Sequence, residues 1–127
     1  MFDAAKAAYD NAYAPYSSFP VGAAILTPEG DIFAGCNVEN AAYPQGACAE
    51  AGAIAAMAVA GRRRIAEILV VGGGEGLCTP CGGCRQRIRE FSAPETPIHI
   101  AGPGGVRASF TLAELLPESF GPEHLRG

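Results

Sequence analysis

Two short segments hold the residues best suited to chemistry, Cys48-Ala49-Glu50 and Thr79-Pro80-Cys81-Gly82-Gly83-Cys84. Together they offer three thiols and a carboxylate. A CxxC pair opening a helix places two sulfurs within reach of one ion, and thiolates at a helix amino end are stabilised by the dipole and by free amides. A third thiolate at a second helix end can complete a three-sulfur face. Zinc suits such a set, because it accepts sulfur in tetrahedral array, and three protein ligands leave a fourth position for water. Zinc lowers the pKa of its bound water toward ~7. Glu50, two residues beyond Cys48, is close enough to shuttle that water's proton.

The same thiols admit other readings. Cys36 or Cys78 could supply a fourth sulfur and close the centre into a structural site with no room for water. Cys81-Gly82-Gly83-Cys84 could also be a redox dithiol, although the chain contains no tryptophan to give it the usual context. The cysteines number five, so they cannot all pair within one chain. Thiolate chemistry or metal binding therefore outranks a disulfide framework.

These segments need elements to hold them. Residues 2–14 read as an amphipathic helix that Pro15 stops. Residues 21–27 and 31–38 read as antiparallel strands joined by the turn Pro28-Glu29-Gly30. The alanine-rich stretch 47–60 predicts a helix ending at Gly61, apolar on nearly every face and so expected to be buried. Ile68 to Val71 suits a central strand covered on both faces. Residues 80–91 then read as a helix with Pro80 in its first turn. Residues 97–101 and 106–110 are two more strands, and Thr111 can cap a short helix over 112–116. The order predicts a three-layer α/β/α fold with a mixed sheet of about five strands.

Composition narrows the class. A chain of 127 residues fits one domain spanning 1–127. With 49% apolar and 17% charged residues it can bury a core, which excludes a disordered segment. The start Met1-Phe2-Asp3-Ala4-Ala5-Lys6 lacks the layout of a secretory signal, and no run of 18 apolar residues occurs, so the expected location is cytoplasmic and no membrane partner is expected. A net charge of -4 gives no field to attract a nucleic acid polymer. The basic run Arg62-Arg63-Arg64 reads as solvated cations near a helix carboxyl end.

A cysteine followed two residues on by glutamate and later by Pro-Cys-x-x-Cys is the pattern of zinc-dependent nucleobase deaminases. Over most of its length the chain resembles the small, homotetrameric cytidine deaminases. The resemblance runs through Ala12-Tyr13-Ala14-Pro15-Tyr16-Ser17-Ser18-Phe19-Pro20-Val21-Gly22, then Gly35-Cys36-Asn37-Val38-Glu39-Asn40-Ala41-Ala42-Tyr43. It continues through the two metal motifs with Arg85-Gln86 and ends in Leu115-Leu116-Pro117-Glu118-Ser119-Phe120.

That resemblance implies hydrolytic deamination of cytidine and deoxycytidine in pyrimidine salvage, with one Zn2+ per chain held by Cys48, Cys81 and Cys84. Glu50 would take the water's proton, protonate N3 of the base and assist the departure of ammonia. Asn37 and Glu39 would bond the ribose hydroxyls, Phe19 would pack beside the nucleoside, the Ala49 amide would meet the base's O2, and the Thr79 carbonyl would accept from the leaving amine. Neighbouring chains of a homotetramer would lend Ala41, Tyr43 and Phe120 to each shared site. The family form with three cysteine ligands commonly carries arginine after the glutamate, whereas this chain has Ala51. Arg85, directly after Cys84, and the two helix dipoles are the expected replacements for that positive charge. Alternatives sharing the motifs are a deaminase of another cytosine nucleoside, such as blasticidin S, and a zinc-stabilised module that binds nucleosides without turning them over.

Overall fold

Alternation along three strands decides how the layers form. In the computed structural model, which describes residues 1–126, Ala23, Ile25, Ile68, Val70, Ile98 and Ile100 turn to one core, while Ala24, Leu69, Val71 and Ala101 turn to another. Successive side chains on a strand point to opposite faces, so a sheet with two apolar faces must be covered on both. The first core is closed by Ala49, Ala53, Met57 and Ile88, and the second by Ala5 with Phe2 and Tyr9 packed against it.

The elements are α1 (Phe2–Asp10), β1 (Val21–Leu26), β2 (Ile32–Cys36), α2 (Ala49–Val59), β3 (Glu67–Gly72), α3 (Gly82–Glu90), β4 (Pro97–Gly102), β5 (Gly105–Thr111) and α4 (Leu112–Leu115). The sheet runs in the order β2-β1-β3-β4-β5. Only β3 and β4 pair in parallel; the other three pairs are antiparallel. The expected five-stranded mixed sheet between helices is thus the observed one, with β3 near its centre and buried from Ile68 onward.

Two glycines let the helices approach the sheet on opposite sides. A Cβ at Gly22 would lie 2.1 Å from the Ala5 carbonyl oxygen, and one at Gly35 would lie 2.4 Å from the Ala53 amide nitrogen. Any larger residue at these points would push α1 or α2 away.

Several expected boundaries move. The first helix ends at Asp10 rather than continuing to residue 14, because the Tyr13 amide donates to the Asn37 carbonyl and the Tyr13 carbonyl accepts from the Glu39 amide. Pairing with the segment after β2 replaces the last helical turn. Pro80 lies before α3, not in its first turn, because Cys81 is extended (φ -66°, ψ 169°) and serves as the N-cap. The alanine-rich helix is not buried all round in the single chain: Ala53 and Met57 are inaccessible, whereas Val59 is 91% exposed and Ala55 is exposed. Among the described residues nothing covers that side of α2. Among the described residues no helix is long and apolar enough to cross a membrane.

Candidate active site

Each of the two site helices starts at a cysteine. Cys48 is the N-cap of α2 and Cys81 the N-cap of α3, both with extended backbone and neither with a side chain capping the helix. The first-turn amides are therefore free to face an anion. Cys84 falls in the first turn of α3 and is wholly buried. The packing of α2 beside α3 brings the three Sγ atoms within 4.8 Å of one another, a group that could hold a metal ion. Sulfurs around a tetrahedral zinc at about 2.3 Å would stand roughly 3.8 Å apart, so the set fits zinc with a small contraction.

The electrostatics differ from thiol to thiol. The backbone amide of Cys84, with smaller help from neighbouring thiols and the Gly83 amide, holds the Cys81 thiol below the ordinary range. Burial pushes Cys84 well up, and the nearby charges of Glu50 and Cys48 push in the same direction. Burial likewise raises Cys48. Three sulfurs this close, two of them reluctant to ionise alone, are arranged for a cation that makes all three thiolates favourable together.

Glu50, one residue into α2, is only 5% exposed. Burial raises its carboxyl pKa, against smaller opposing effects of a backbone amide, the Cys84 thiol and the Arg87 charge. A carboxyl held above its usual range is suited to carrying a proton back and forth near neutral pH.

Cys48, Cys81 and Glu50 line a cleft of about 300 Å³, together with Val21, Asn37, Glu39, Ala47, Ala49, Cys78 and Thr79. It adjoins, through Glu39, a second hollow walled by Tyr16, Ser17, Asn40, Tyr43 and Gly46. Of the residues singled out from the sequence, Cys48, Glu50, Cys81, Asn37, Glu39, Ala49 and Thr79 thus share one cleft, with Cys84 beneath it.

Asn37 Nδ2 donates to the Phe19 carbonyl at 2.9 Å and its Oδ1 accepts from the Val21 amide at 2.9 Å, which fixes the entry to β1. Glu39 Oε1 accepts from the amides of Tyr16 and Ser17, and Oε2 accepts from the Ser17 hydroxyl. Both side chains keep unused hydrogen-bonding capacity, one N–H on Asn37 and lone pairs on Glu39. Phe19 faces the glycine-rich loop, lining a smaller hollow with Gly73, Gly74, Leu77 and Cys78. Ala41, Tyr43 and Phe120 stand outside the cleft of their own chain, and Tyr43 and Phe120 are 77% and 54% exposed.

The Arg85 fork is committed to oxygen: Nε donates to the Pro80 carbonyl at 2.7 Å, Nη1 to the Leu115 carbonyl at 2.7 Å and Nη2 to Thr79 Oγ1 at 3.2 Å. It braces the turn before Cys81 and ties it to the carboxyl-terminal segment. One neighbour of the site, Arg87, was not singled out from the sequence, and another, Cys78, was considered only as a fourth sulfur. Arg87 donates to Cys84 Sγ at 3.6 Å, a contact that the three-residue spacing along a helix could have signalled. Cys78 lines the cleft with its thiol raised by burial and is not part of the three-sulfur group.

The family profile described as the cytidine and deoxycytidylate deaminase zinc-binding region matches residues 1–100. The chain belongs to this family. It is therefore a zinc-binding deaminase domain, and Cys48, Cys81 and Cys84 are the group positioned to receive a metal. Among its relatives, a cytidine deaminase of Sporosarcina psychrophila is 43% identical over 120 residues, 94% of this chain and 88% of the relative. A cytidine deaminase of Halalkalibacterium halodurans is 38% identical over 118 residues, 93% and 89% of the two chains. The crystal structure of cytidine deaminase from Burkholderia pseudomallei superposes with a TM-score of 0.86 at 45% identity, covering 93% of this chain and 94% of that one. The structure from Mycobacterium leprae superposes at 0.78 with 43% identity, covering 91% and 93%.

Proposed function

We propose that the chain converts cytidine and deoxycytidine, with water, to uridine or deoxyuridine and ammonia, using one zinc ion held by Cys48, Cys81 and Cys84. The observation that carries this reading is the convergence of three thiols within 4.8 Å beside the buried Glu50, at the floor of a cleft the size of a small ligand. Near-full-length relatives of the same activity support it. When bound, zinc supplies a Lewis acid that makes a water molecule acidic near neutral pH.

The chain's own residues carry the proton traffic. Glu50 takes one proton of the attacking water and delivers it to N3 of the base, then takes the remaining proton from the new hydroxyl on C4 and passes it to the amine, so that the C4–N bond breaks, ammonia leaves, the C4 carbonyl forms and Glu50 ends ionised as it began. Ala49 offers its amide, at the free amino end of α2, to the base's O2. The Thr79 carbonyl accepts from the leaving amine. Asn37 and Glu39 use their remaining capacity on the ribose hydroxyls, Phe19 packs at the edge of the nucleoside, and Arg85 holds the Thr79-Pro80 turn in place.

The reading also includes a single domain over residues 1–127, a cytoplasmic role in pyrimidine salvage, and a homotetramer whose neighbours lend Ala41, Tyr43 and Phe120. The exposed aromatic rings of Tyr43 and Phe120 and the bare side of α2 at Ala55 and Val59 support such an assembly. Large apolar groups left in solvent mark a surface that a partner covers.

The test is ammonia release from cytidine by the zinc-loaded protein beside Glu50→Ala. Turnover lost in the variant, with zinc retained, is expected. Zinc bound without turnover in the unmodified protein would defeat the proposed substrate.

A further inference from the structure

Three thiolates outweigh one divalent cation, so a three-cysteine zinc site needs a positive group nearby to keep the sulfurs ionised and the metal acidic. Ala51, following Glu50, brings no charge. The three hydrogen bonds of Arg85 all go to oxygen. Arg87 is different. From one turn further along α3 its Nη1 donates to Cys84 Sγ at 3.6 Å.

The geometry favours this contact. Long side chains on a helix lean back toward its amino end, and positions three apart lie on one face, so Arg87 reaches over the first turn of α3. A Cβ on Gly83 would stand 3.2 Å from Arg87 Nη1, so the bare glycine leaves the guanidinium its place. Arg62 and Arg89 pair with carboxylates, whereas among the described residues Arg87 has no carboxylate within ion-pair distance. Its charge is left for sulfur. Cys84 is the fully buried member of the trio, and a charge away from water gains most from a charged donor.

We propose that Arg87 is a positioning residue for the metal site: its guanidinium holds Cys84 Sγ and supplies the positive charge that a three-thiolate centre requires. The inference rests on the zinc site proposed above. A hydrogen bond from a cation withdraws electron density from sulfur, which preserves the acidity of a metal bound to it.

The experiment measures zinc affinity, by competition with a chromogenic chelator, for the unmodified protein and for Arg87→Gln, Arg87→Lys and the distant exposed control Arg63→Gln. The thiolate-to-metal absorption band of the cobalt-substituted forms and the melting temperature of the metal-free forms are recorded alongside. Arg87→Gln should bind zinc about 10- to 100-fold more weakly and shift the cobalt band, with an unchanged metal-free melting temperature. Arg87→Lys should recover part of the affinity, and Arg63→Gln should match the unmodified protein. Affinity unchanged in Arg87→Gln, an equal loss in Arg87→Lys, or a parallel fall in metal-free stability would overturn the assignment of charge to Arg87 while leaving the zinc site standing. If the unmodified protein itself failed to take up zinc, both readings would fall.

Discussion

Gly35 on β2 lies directly beneath Ala49, the first residue of α2: a Cβ there would stand 2.6 Å from the Ala49 carbonyl oxygen. The height of α2 above the sheet, and with it the position of Cys48 and Glu50, is set by the absence of a side chain at residue 35. Gly35→Ala should lift the helix, destabilising the protein by about 1–3 kcal/mol through overpacking and weakening zinc binding. Urea denaturation and chelator competition measure the two effects. Wild-type values in both would mean that the helix is held at its height by other contacts.

Glu50→Gln keeps the size of the side chain and removes its ability to carry a proton. Turnover of cytidine should fall by about 10²- to 10⁴-fold, while zinc content, measured by atomic absorption, stays near one per chain. A variant with normal turnover would take the proton-shuttle role away from Glu50.

Zinc bound to the native state raises apparent stability, by about 4 kcal/mol when free metal is a thousandfold above its dissociation constant. Treatment with a strong chelator should therefore lower the melting temperature of the native chain, and Cys84→Ala should melt at the same temperature with or without chelator. A native chain indifferent to the chelator would argue against a metal at the three thiols.

The Ser17 hydroxyl, then the amides of Ser17 and Tyr16, hold the Glu39 carboxyl below its ordinary range. For a carboxyl depressed in the folded state, the stabilisation is complete above the unfolded value and disappears as pH falls through the folded one. The Tyr16 and Ser17 amide resonances should accordingly titrate at lower pH than exposed glutamates do, and lose that titration in Glu39→Gln. Titration together with the exposed glutamates would show that these bonds are not maintained in solution.

The uncovered side of α2 gives a fifth test. Ala55→Glu places a charge where the tetramer reading puts a neighbouring chain, and sedimentation velocity should show smaller species with reduced turnover. A variant that sediments and turns over like the parent would exclude that face as a contact.

Much of this was legible from residue types. The aliphatic run Ile68 to Val71 predicted a strand covered on both faces, and β3 is that strand. Cys48, Glu50, Cys81 and Cys84 were conspicuous because few local structures call for three thiols and an acid near helix starts. Contacts between distant segments were not legible. The early end of α1 depends on backbone pairing of Tyr13 with Asn37 and Glu39, which no local pattern announces. Arg85 drew attention by adjacency in the chain, yet on a helix the neighbour three positions along shares a face with Cys84 and the next residue does not. The exposed side of α2 was not legible, because an alanine-rich sequence looks alike whether or not its own chain covers every face of the helix.

The two cysteines that cap α2 and α3 stand at opposite ends of a chain segment that contains the whole of α2 and β3. An ion joining them acts as a removable crosslink: it ties a long loop shut, and the entropy of closing that loop is lost from the unfolded chain only while the metal stays bound to it. In the folded chain β3 lies between β1 and β4, so an ion held by all three thiols would fasten the two helix starts across the central strand, and a chelator would release that constraint.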